Sequence, residues 1–339
     1  MKTRIVYVLV SSSQDIYLEQ AYISMASLKY HMSEVHITLL TDRLTHITFT
    51  GIRQQELRYV DEMIVVDLDG ETLNAQQRSR QLKTSVRNHV AGDFLFVDCD
   101  TVITRPLDII DSCQSLIAAC RDTHAALHDN PYLDMSLEHG HLLGWPIDGE
   151  KDYFNSGVIY VKDVPETHEF YTRWNENLNA GYSKRVFMDQ PSFNKTNYEM
   201  GHMVDHLSDE WNCELKHGIR YLKDAYIVHY LCTNPSLLQK KQLFLLNEEN
   251  ALLEVKKSGE ISESIKAVIV DPFKGLAEVT FCLAGDDVFF LKTQGYEFLR
   301  KHYKPGKRSL PEWVLLMMWY VERAKNKLLK MSGLKKNMK

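Results

Sequence analysis

The segment 93–104, Asp-Phe-Leu-Phe-Val-Asp-Cys-Asp-Thr-Val-Ile-Thr, constrains the fold of this chain more than any other stretch. Phe94–Val97 is a short apolar run rich in aromatic and β-branched residues, which predicts a buried strand. Two carboxylates, Asp98 and Asp100, follow where this strand ends. Ligands bind at the carboxyl edge of α/β sheets, and two hard oxygen ligands there suit Mg²⁺ or Mn²⁺, which in turn suit a diphosphate. The alternative is that the acidic pair caps the next helix or lies in a solvated turn.

Strands and helices alternate along the first two-thirds of the chain. Strands are predicted at Ile5–Val10, Val35–Leu40, Met63–Val66, Ser115–Ala119, Gly157–Val161 and Ala225–Val228, and helices at Tyr17–Tyr30, Asn74–Val90, Glu166–Asn177 and Met188–Asn197. This alternation predicts an α/β fold with a doubly wound, mainly parallel, Rossmann-like sheet.

The last third of the chain is predicted to be a helical C-terminal extension. From about residue 235 the pattern is helical and charged, through Leu237–Lys257 and Glu260–Ile269. Ser309-Leu-Pro-Glu312 is a capping box with proline in the first turn, which predicts a new helix start. We therefore expect three parts: a catalytic-type α/β domain at 1–234, a helical extension at 235–308 and a basic amphipathic helix at 309–339.

Charge is distributed unevenly along the sequence. The net charge is −5, yet the segment from residue 300 to the end holds twelve Lys/Arg and two Glu, so it carries +10 and the rest of the chain carries −15. Nine apolar residues, from Trp313 to Val321, precede most of the basic ones, which is typical of a helix lying on an anionic membrane surface. A terminal helix docked on the core is the alternative. The acidic body argues against nucleic-acid binding.

Cysteine usage and the first residues of the chain bear on location. The six cysteines form no C-x-x-C pair and fit a reduced, intracellular protein. The run Ile5–Val10 is too short for a signal-peptide core, and no stretch reaches the roughly 18 apolar residues of a membrane span. We expect a cytoplasmic protein that is peripheral on the inner face of the cell membrane.

Three further polar groups lie at ends of predicted elements. Asn155 follows Tyr153-Phe154 in a turn that feeds a strand, Asp189 and Gln190 precede a proline at a helix start, and His229 closes a late strand. Each has an ordinary structural interpretation: a turn, a helix cap and a structural histidine, respectively. The Asn155 amide is also suited to hydrogen-bond a ligand hydroxyl, and Asp189 and Gln190 offer a carboxylate and an amide together. A neutral imidazole at His229 is suited to complete a site begun by two carboxylates.

Taken together, these motifs resemble the family 8 glycosyltransferases, which are metal-dependent, retain anomeric configuration and use nucleotide-sugar donors on a GT-A fold. The resemblance extends from about Ile5 to His229 in the order R-x-x-K, D-x-D, F-N-S-G, D-Q and a late histidine. It implies a UDP-sugar donor and a Mn²⁺ or Mg²⁺ cofactor. Combined with the expected location at the membrane surface, it leads us to predict a glycan or lipid-linked saccharide acceptor and a role in polysaccharide biosynthesis.

The resemblance also implies roles for individual residues. Metal ligands would be Asp98, Asp100 and His229, with Asp98 also touching the ribose. The nucleobase and ribose would contact Val10, Ser11 and Tyr17. The donor's sugar and phosphate would contact Arg80 or Lys83. Asp122 and Asn155 would also contact the sugar. Asp189 and Gln190 would lie near the anomeric carbon. Retention would proceed through a covalent intermediate on Asp189 or by attack from the leaving-group face, and we favour the second.

The sequence departs from the family at one point and leaves two rivals. The family's late histidine precedes a Lys-Pro-Trp run whose lysine binds diphosphate, whereas His229 leads into Tyr-Leu-Cys-Thr-Asn-Pro235 and offers only Lys240 or Lys241 as substitutes.

The first rival is a phosphatase of the haloacid dehalogenase type, using Asp98 with the later Asp286-Asp287. The second is a non-catalytic assembly protein that binds nucleotide-sugars.

Overall fold

The computed structural model describes residues 1–68, 70, 72–230, 244–276 and 293–295, together with 313–314, 316–318, 320–321 and 323–325. The chain has two compact units, Met1–Gly285 and Asp286–Lys339. The predicted domain division at residues 234 and 308 stays a prediction.

Strands and helices alternate as predicted. Over the described ranges the strands are β1 (Arg4–Leu9), β2 (Ile37–Asp42), β3 (Glu62–Val66), β4 (Phe94–Val97), β5 (Thr101–Ile103), β6 (Ile117–Arg121), β7 (Phe154–Val161), β8 (Val204–His206), β9 (Cys213–Glu214) and β10 (Ile227–His229). The helices are α1 (Tyr17–His31), α2 (Arg43–His46), α3 (Ile52–Gln55), α4 (Ala75–Ser85), α5 (Leu133–Leu143), α6 (Pro165–Ser183), α7 (Asp189–Glu199), α8 (Glu249–Ser258) and α9 (Glu263–Val270).

Several predicted helices have different bounds from those expected. Helix α6, for example, continues to Ser183, past the predicted end at Asn177. The helix predicted over Asn74–Val90 ends at Ser85 and continues as a 3₁₀ turn, Val86–Asn88, since last turns often tighten in this way. Of the helix predicted over Leu237–Lys257, the part before residue 244 lies outside the described residues. The remainder is a 3₁₀ turn, Leu245–Asn247, and then α8, because Glu248 between them has extended backbone.

The central sheet has the order β3-β2-β1-β4-β7-β6-β8 and is mainly parallel, as predicted. Strand β7 is the exception, since it runs antiparallel to both β4 and β6. The reversal matters for the site because it brings the beginning of β7 to the edge where β1 and β4 end. The Asp98 amide accordingly donates to the Gly157 carbonyl over 2.8 Å.

Both faces of this sheet are buried. Along β1, Ile5, Tyr7 and Leu9 join one hydrophobic cluster with α1, while Val6 and Val8 join a second cluster on the opposite face. The second cluster also holds side chains of α4, α6 and α7, among them Leu82, Trp174 and Phe193. Alternating side chains that are apolar on both faces make β1 a central strand of a doubly wound sheet.

A smaller sheet, β5-β10-β9, lies next to the carboxylate motif. Strand β5 begins directly after Asp100, and β10 pairs antiparallel with it so that His229 lies opposite Thr101. The Tyr230 amide donates to the Asp100 carbonyl over 3.2 Å. This pairing brings a histidine from late in the sequence to the end of β4.

The second unit contributes a helical segment. Residues 313–314, 316–318, 320–321 and 323–325 are helical, and the predicted helix start at Ser309–Glu312 lies outside the described residues. Within the part of the chain that the structure describes, no helix has the length and apolarity needed to cross a membrane.

Candidate active site

The structure brings together Asp98, Asp100 and His229. One potential ligand atom from each of these three residues lies within 4.8 Å of the other two. His229 Nε2 is 3.1 Å from Asp100 Oδ1, and the imidazole is buried while the Asp98 side chain is 30% exposed. Two carboxylate oxygens and one imidazole nitrogen on a partly open site form a donor set that suits Mn²⁺ or Mg²⁺. The chemistry and spacing of these residues therefore fit a divalent cation.

The pKa shifts within this trio reflect crowded charges. Burial raises the pKa of Asp98 to about 6, against the opposing influence of the Lys83 and His229 charges. Burial lowers the pKa of His229, but the adjacent Asp100 carboxylate outweighs it and the net pKa is raised. Shifted pKa values that cluster in this way are typical of functional sites.

Gly157 makes room for the histidine. A Cβ atom at this position would lie 2.6 Å from Cε1 of His229 and 2.9 Å from its Nδ1, closer than van der Waals contact allows. The F-N-S-G segment thus has a steric role beyond the turn that the sequence suggests, since β7 must pass directly beneath the imidazole.

A cationic pair faces the trio from α4. Helix α4 begins at a capping box in which Asn74 and Gln77 exchange hydrogen bonds between side chain and backbone. Two turns later, Lys83 Nζ lies 3.3 Å from Asp98 Oδ1 and 3.0 Å from Asp189 Oδ2. Arg80 Nε lies 3.6 Å from Asp189 Oδ1. Both basic residues expected from the sequence are therefore in the cleft, and Lys83 bridges the two carboxylates.

Asp189 is held at the first turn of α7. Its Oδ2 accepts from the Ser156 hydroxyl over 2.9 Å, and its carbonyl accepts from the Trp174 indole over 3.0 Å. Burial would raise the pKa of Asp189, but the charges of Lys83 and Arg80 outweigh it, so the net pKa is lowered. Asp189 is therefore an ionised carboxylate held close to the trio.

Gln190, in the first turn of α7, and Asn155, in β7, both make hydrogen bonds at the beginning of β7. Gln190 Oε1 accepts from the Ser156 amide over 3.4 Å. Asn155 Oδ1 accepts from the Gly157 amide over 2.7 Å, and its Nδ2 donates to Asp122 Oδ1 over 3.2 Å. The antiparallel direction of β7 places the Asn155 amide at the edge where β4 ends, and Gln190 reaches the same edge from α7.

Asp122 directly follows β6 and is buried. Its second oxygen, Oδ2, accepts from Asn130 Nδ2 over 2.8 Å. The next two residues, Thr123 and His124, have φ of 59° and 58°, a left-handed conformation that is unfavourable for residues with a side chain. Strained backbone of this kind persists where the surroundings fix it and concentrates at functional sites.

Asn212 is a site residue that sequence reasoning missed. It lies in the 3₁₀ turn Asp209–Asn212, is fully buried, and contacts both Asn155 Oδ1 at 3.0 Å and His229 Nδ1 at 2.9 Å. Nothing in the local sequence distinguishes this asparagine from others in the chain, because its partners are 57 and 17 residues away.

Val10 and Ser11 follow the end of β1, next to β4 in the sheet. The Ser11 hydroxyl donates to Asp15 Oδ1 over 2.7 Å and accepts from Arg53 Nη2 over 3.1 Å. Tyr17, at the start of α1, is 44% exposed. All three lie at the predicted edge of the sheet, and their contact with a nucleobase or ribose stays a prediction.

Buried charges surround Arg53, which the sequence did not single out. Glu19 and Glu56 are fully buried, and the charges of Arg53 and Lys256 act on both carboxylates. Burial and the nearby Glu19 raise the pKa of Glu56 from 4.5 to about 8. Because Lys256 belongs to α8 and donates to the Asp15 carbonyl, this cluster links the first and last parts of the Met1–Gly285 unit.

Comparisons with known proteins bear on the family and on the fold. Residues 89–249, slightly under half of the chain, match the family model described as nucleotide-diphospho-sugar transferase. No curated protein sequence matches. The structure is similar to that of galactosyltransferase LgtC, which was solved with donor and acceptor sugar analogues. The TM-score is 0.52 at 12% sequence identity, and the match covers 78% of this chain and 99% of LgtC.

Two other solved structures are less similar. The glycosyltransferase GlyE of Streptococcus pneumoniae has a TM-score of 0.49 and 17% identity, covering 80% of this chain and 63% of its own. Mouse xyloside xylosyltransferase 1 has a TM-score of 0.46 and 15% identity, covering 68% of this chain and 98% of its own.

At 12% identity the likeness to LgtC concerns the fold, and it confirms the predicted α/β, GT-A-type architecture. The family match confirms the resemblance stated from the motifs and covers D-x-D, F-N-S-G, D-Q and the late histidine. Over residues 89–249 the chain is similar to the nucleotide-diphospho-sugar transferases, and it is built on a GT-A-type fold.

Proposed function

We propose that this protein is a metal-dependent glycosyltransferase that moves a sugar from a nucleotide-sugar, specifically a UDP-sugar, to a glycan or lipid-linked saccharide with retention of configuration. The observation that carries the proposal is the convergence of Asp98, Asp100 and His229 with Lys83 and Asp189 at one edge of the sheet. The family match favours this reaction over the phosphatase alternative, whose second acidic pair lies outside the described residues.

The three ligand residues would hold Mn²⁺ or Mg²⁺ where the donor's diphosphate binds. A bound divalent ion would neutralise the negative charge that develops on the departing nucleoside diphosphate. Lys83 adds a fixed positive charge on the α4 side of the cleft, 3.3 Å from Asp98. Lys240 and Lys241, the substitutes suggested for the family's missing lysine, lie outside the described residues.

Asp189, Gln190 and Asn155 would surround the sugar. The sugar becomes oxocarbenium-like as its bond to phosphate breaks, and a nearby carboxylate stabilises that positive charge. Both oxygens of Asp189 are engaged, Oδ1 with Arg80 and Oδ2 with Lys83 and Ser156. A carboxylate held by two cations and a hydroxyl is a weakened nucleophile. This supports attack from the leaving-group face over a covalent intermediate on Asp189.

The C-terminal segment would keep the enzyme at an anionic membrane surface, where a lipid-linked acceptor is available for polysaccharide synthesis. Support comes from the nine apolar residues Trp313 to Val321 beside a cluster of basic ones. Trp313, Met317, Met318 and Val321 are all exposed. An apolar, aromatic face adjoining Lys and Arg is suited to the interface of the cytoplasmic leaflet.

The test is nucleotide release from UDP-, GDP- and CMP-sugars, with and without Mn²⁺ and without an acceptor. We expect slow, Mn²⁺-dependent hydrolysis of one donor, and its loss in Asp100→Asn and His229→Ala. Asp224→Asn is the matched control, because this aspartate is 69% exposed and pairs only loosely with Arg105 at 3.4 Å. Hydrolysis by Asp100→Asn at the wild-type rate would refute the metal assignment. Donor binding without turnover, with or without acceptors, would favour the non-catalytic assembly protein.

A further inference from the structure

A chain of buried hydrogen bonds connects the backbone of β7 to Nδ1 of His229, the ring nitrogen that faces away from Asp100. Its members are the Gly157 amide, Asn155, Asn212 and the imidazole. Asn212 is fully buried, and Asn155 and His229 are nearly so. Donors and acceptors must alternate along such a chain, so one fixed donor determines the direction of all the others.

The fixed donor is the Gly157 amide, since a backbone N–H can only donate. The atom of Asn155 that lies 2.7 Å away must therefore be its carbonyl oxygen, Oδ1. The Asn155 amide nitrogen then faces Asp122 Oδ1 at 3.2 Å, where a carboxylate oxygen accepts. Both ends of Asn155 agree on one orientation.

The orientation of Asn155 sets that of Asn212. Since Asn155 Oδ1 is an acceptor, the Asn212 atom 3.0 Å from it must be the amide nitrogen. The remaining atom, Asn212 Oδ1, lies 2.9 Å from Nδ1 of His229 and can only accept. The imidazole must therefore carry a proton on Nδ1. Its Nε2, 3.1 Å from Asp100, is the nitrogen directed at the ligand cluster.

We propose that Asn212 is a positioning residue for the metal site: it holds His229 in the Nδ1–H tautomer so that the lone pair of Nε2 faces the cation. Groups that orient a ligating histidine affect how tightly the metal binds, and losing such a group lowers metal affinity by about 10–100-fold. This inference rests on the proposed function, because it assumes that His229 binds the cation.

The experiment compares Asn212→Leu with Asn212→Asp in the full-length protein. Leucine has a similar volume and cannot accept. Aspartate keeps an acceptor oxygen facing Nδ1 and loses the amide group that donates to Asn155. Asn177→Leu is the matched control. It removes another nearly buried asparagine, which donates to Thr196 and Glu199 on α7 and has no part in the chain to His229.

Two quantities are measured for each variant. The first is the Mn²⁺ dissociation constant from the electron paramagnetic resonance signal of free Mn²⁺. The second is the tautomer of His229, from long-range ¹H–¹⁵N correlation spectra of the metal-free protein at a pH where the ring is neutral. We expect Asn212→Leu to weaken Mn²⁺ binding by roughly 10–100-fold and to lose the Nδ1–H pattern, while Asn212→Asp keeps that pattern and stays within a few-fold of wild type.

The outcomes separate this inference from the proposed function. If wild type binds Mn²⁺ and Asn212→Leu binds it equally well, the role of Asn212 is refuted and the metal site stands. If wild type binds no Mn²⁺, the metal assignment and the inference toward it both fail, and the spectra show whether Asn212 still fixes the tautomer. Should Asn212→Leu fail to fold, Asn212→Asp decides: an Nε2–H ring in that variant contradicts the proposal.

Discussion

Gly157→Ala offers a sharp test of the site, because the space available for a side chain there can be measured. The new Cβ would begin 2.6 Å from Cε1 of His229, and ordinary contact starts at 3.4 Å. The imidazole must therefore retreat by about 0.8 Å. Metal–ligand distances tolerate about ±0.2 Å, so a displacement of this size removes His229 from coordination.

The steric conflict also affects stability. Forcing an extra methyl group into a packed site costs about 1–3 kcal/mol, while replacing glycine returns only about 0.4–1 kcal/mol by restricting the unfolded chain. We expect Gly157→Ala to unfold at a lower temperature, to bind Mn²⁺ at least 10-fold more weakly and to lose Mn²⁺-dependent donor hydrolysis. The measurements are thermal unfolding, Mn²⁺ titration and nucleotide release.

Gly149→Ala is the matched control for this experiment. Its added Cβ would meet nothing within 4 Å, so both stability and Mn²⁺ affinity should stay near wild type. If Gly157→Ala binds Mn²⁺ as tightly as wild type, then His229 is not a ligand in the position that the structure gives it. The steric argument for the glycine in F-N-S-G would be wrong as well.

Periodic hydrophobicity predicted most of the central sheet and its helices. The strand Phe94–Val97 has the bounds expected for it, and Asp98 and Asp100 follow it as the sequence indicated. The sequence could not give the direction of β7, because an apolar run looks the same whichever way the strand lies in the sheet. That direction decides whether Asn155 and Gly157 lie at the edge where β4 ends or at the opposite one.

Buried polar residues were the least predictable part of the site. Asn212 and Arg53 act through partners distant in sequence, and a charged or amide side chain in a local pattern is normally interpreted as exposed. Glu19 shows the difficulty, since it lies in the first turn of α1, where an acidic residue is expected on the surface, and yet it is fully buried. Helix α8 packs against both α1 and α3, and tertiary packing of this kind is not visible in the local sequence.

Three further predictions concern charge. Lys83→Met should lower the rate of Mn²⁺-dependent donor hydrolysis by about 10²–10³-fold, because it removes the cation between Asp98 and Asp189. Replacing the exposed Lys184 by methionine should leave the rate unchanged, and equal rates in the two variants would contradict the role of Lys83. Deleting residues 309–339 should abolish binding to anionic vesicles and leave the rate of donor hydrolysis within a few-fold of wild type. Binding is measured by co-sedimentation, with neutral vesicles as the control, and undiminished binding would refute the membrane proposal. The last concerns Glu56, whose folded pKa is about 8 against 4.5 in the unfolded chain. Between these pH values the unfolded chain has released a proton that the folded protein retains. The free energy of unfolding should therefore fall as pH rises, by at most about 1.4 kcal/mol per pH unit, and Glu56→Gln should flatten this decline in urea unfolding curves. Exposed Glu263→Gln should leave the slope unchanged, and an equal slope in Glu56→Gln would show that another group causes it.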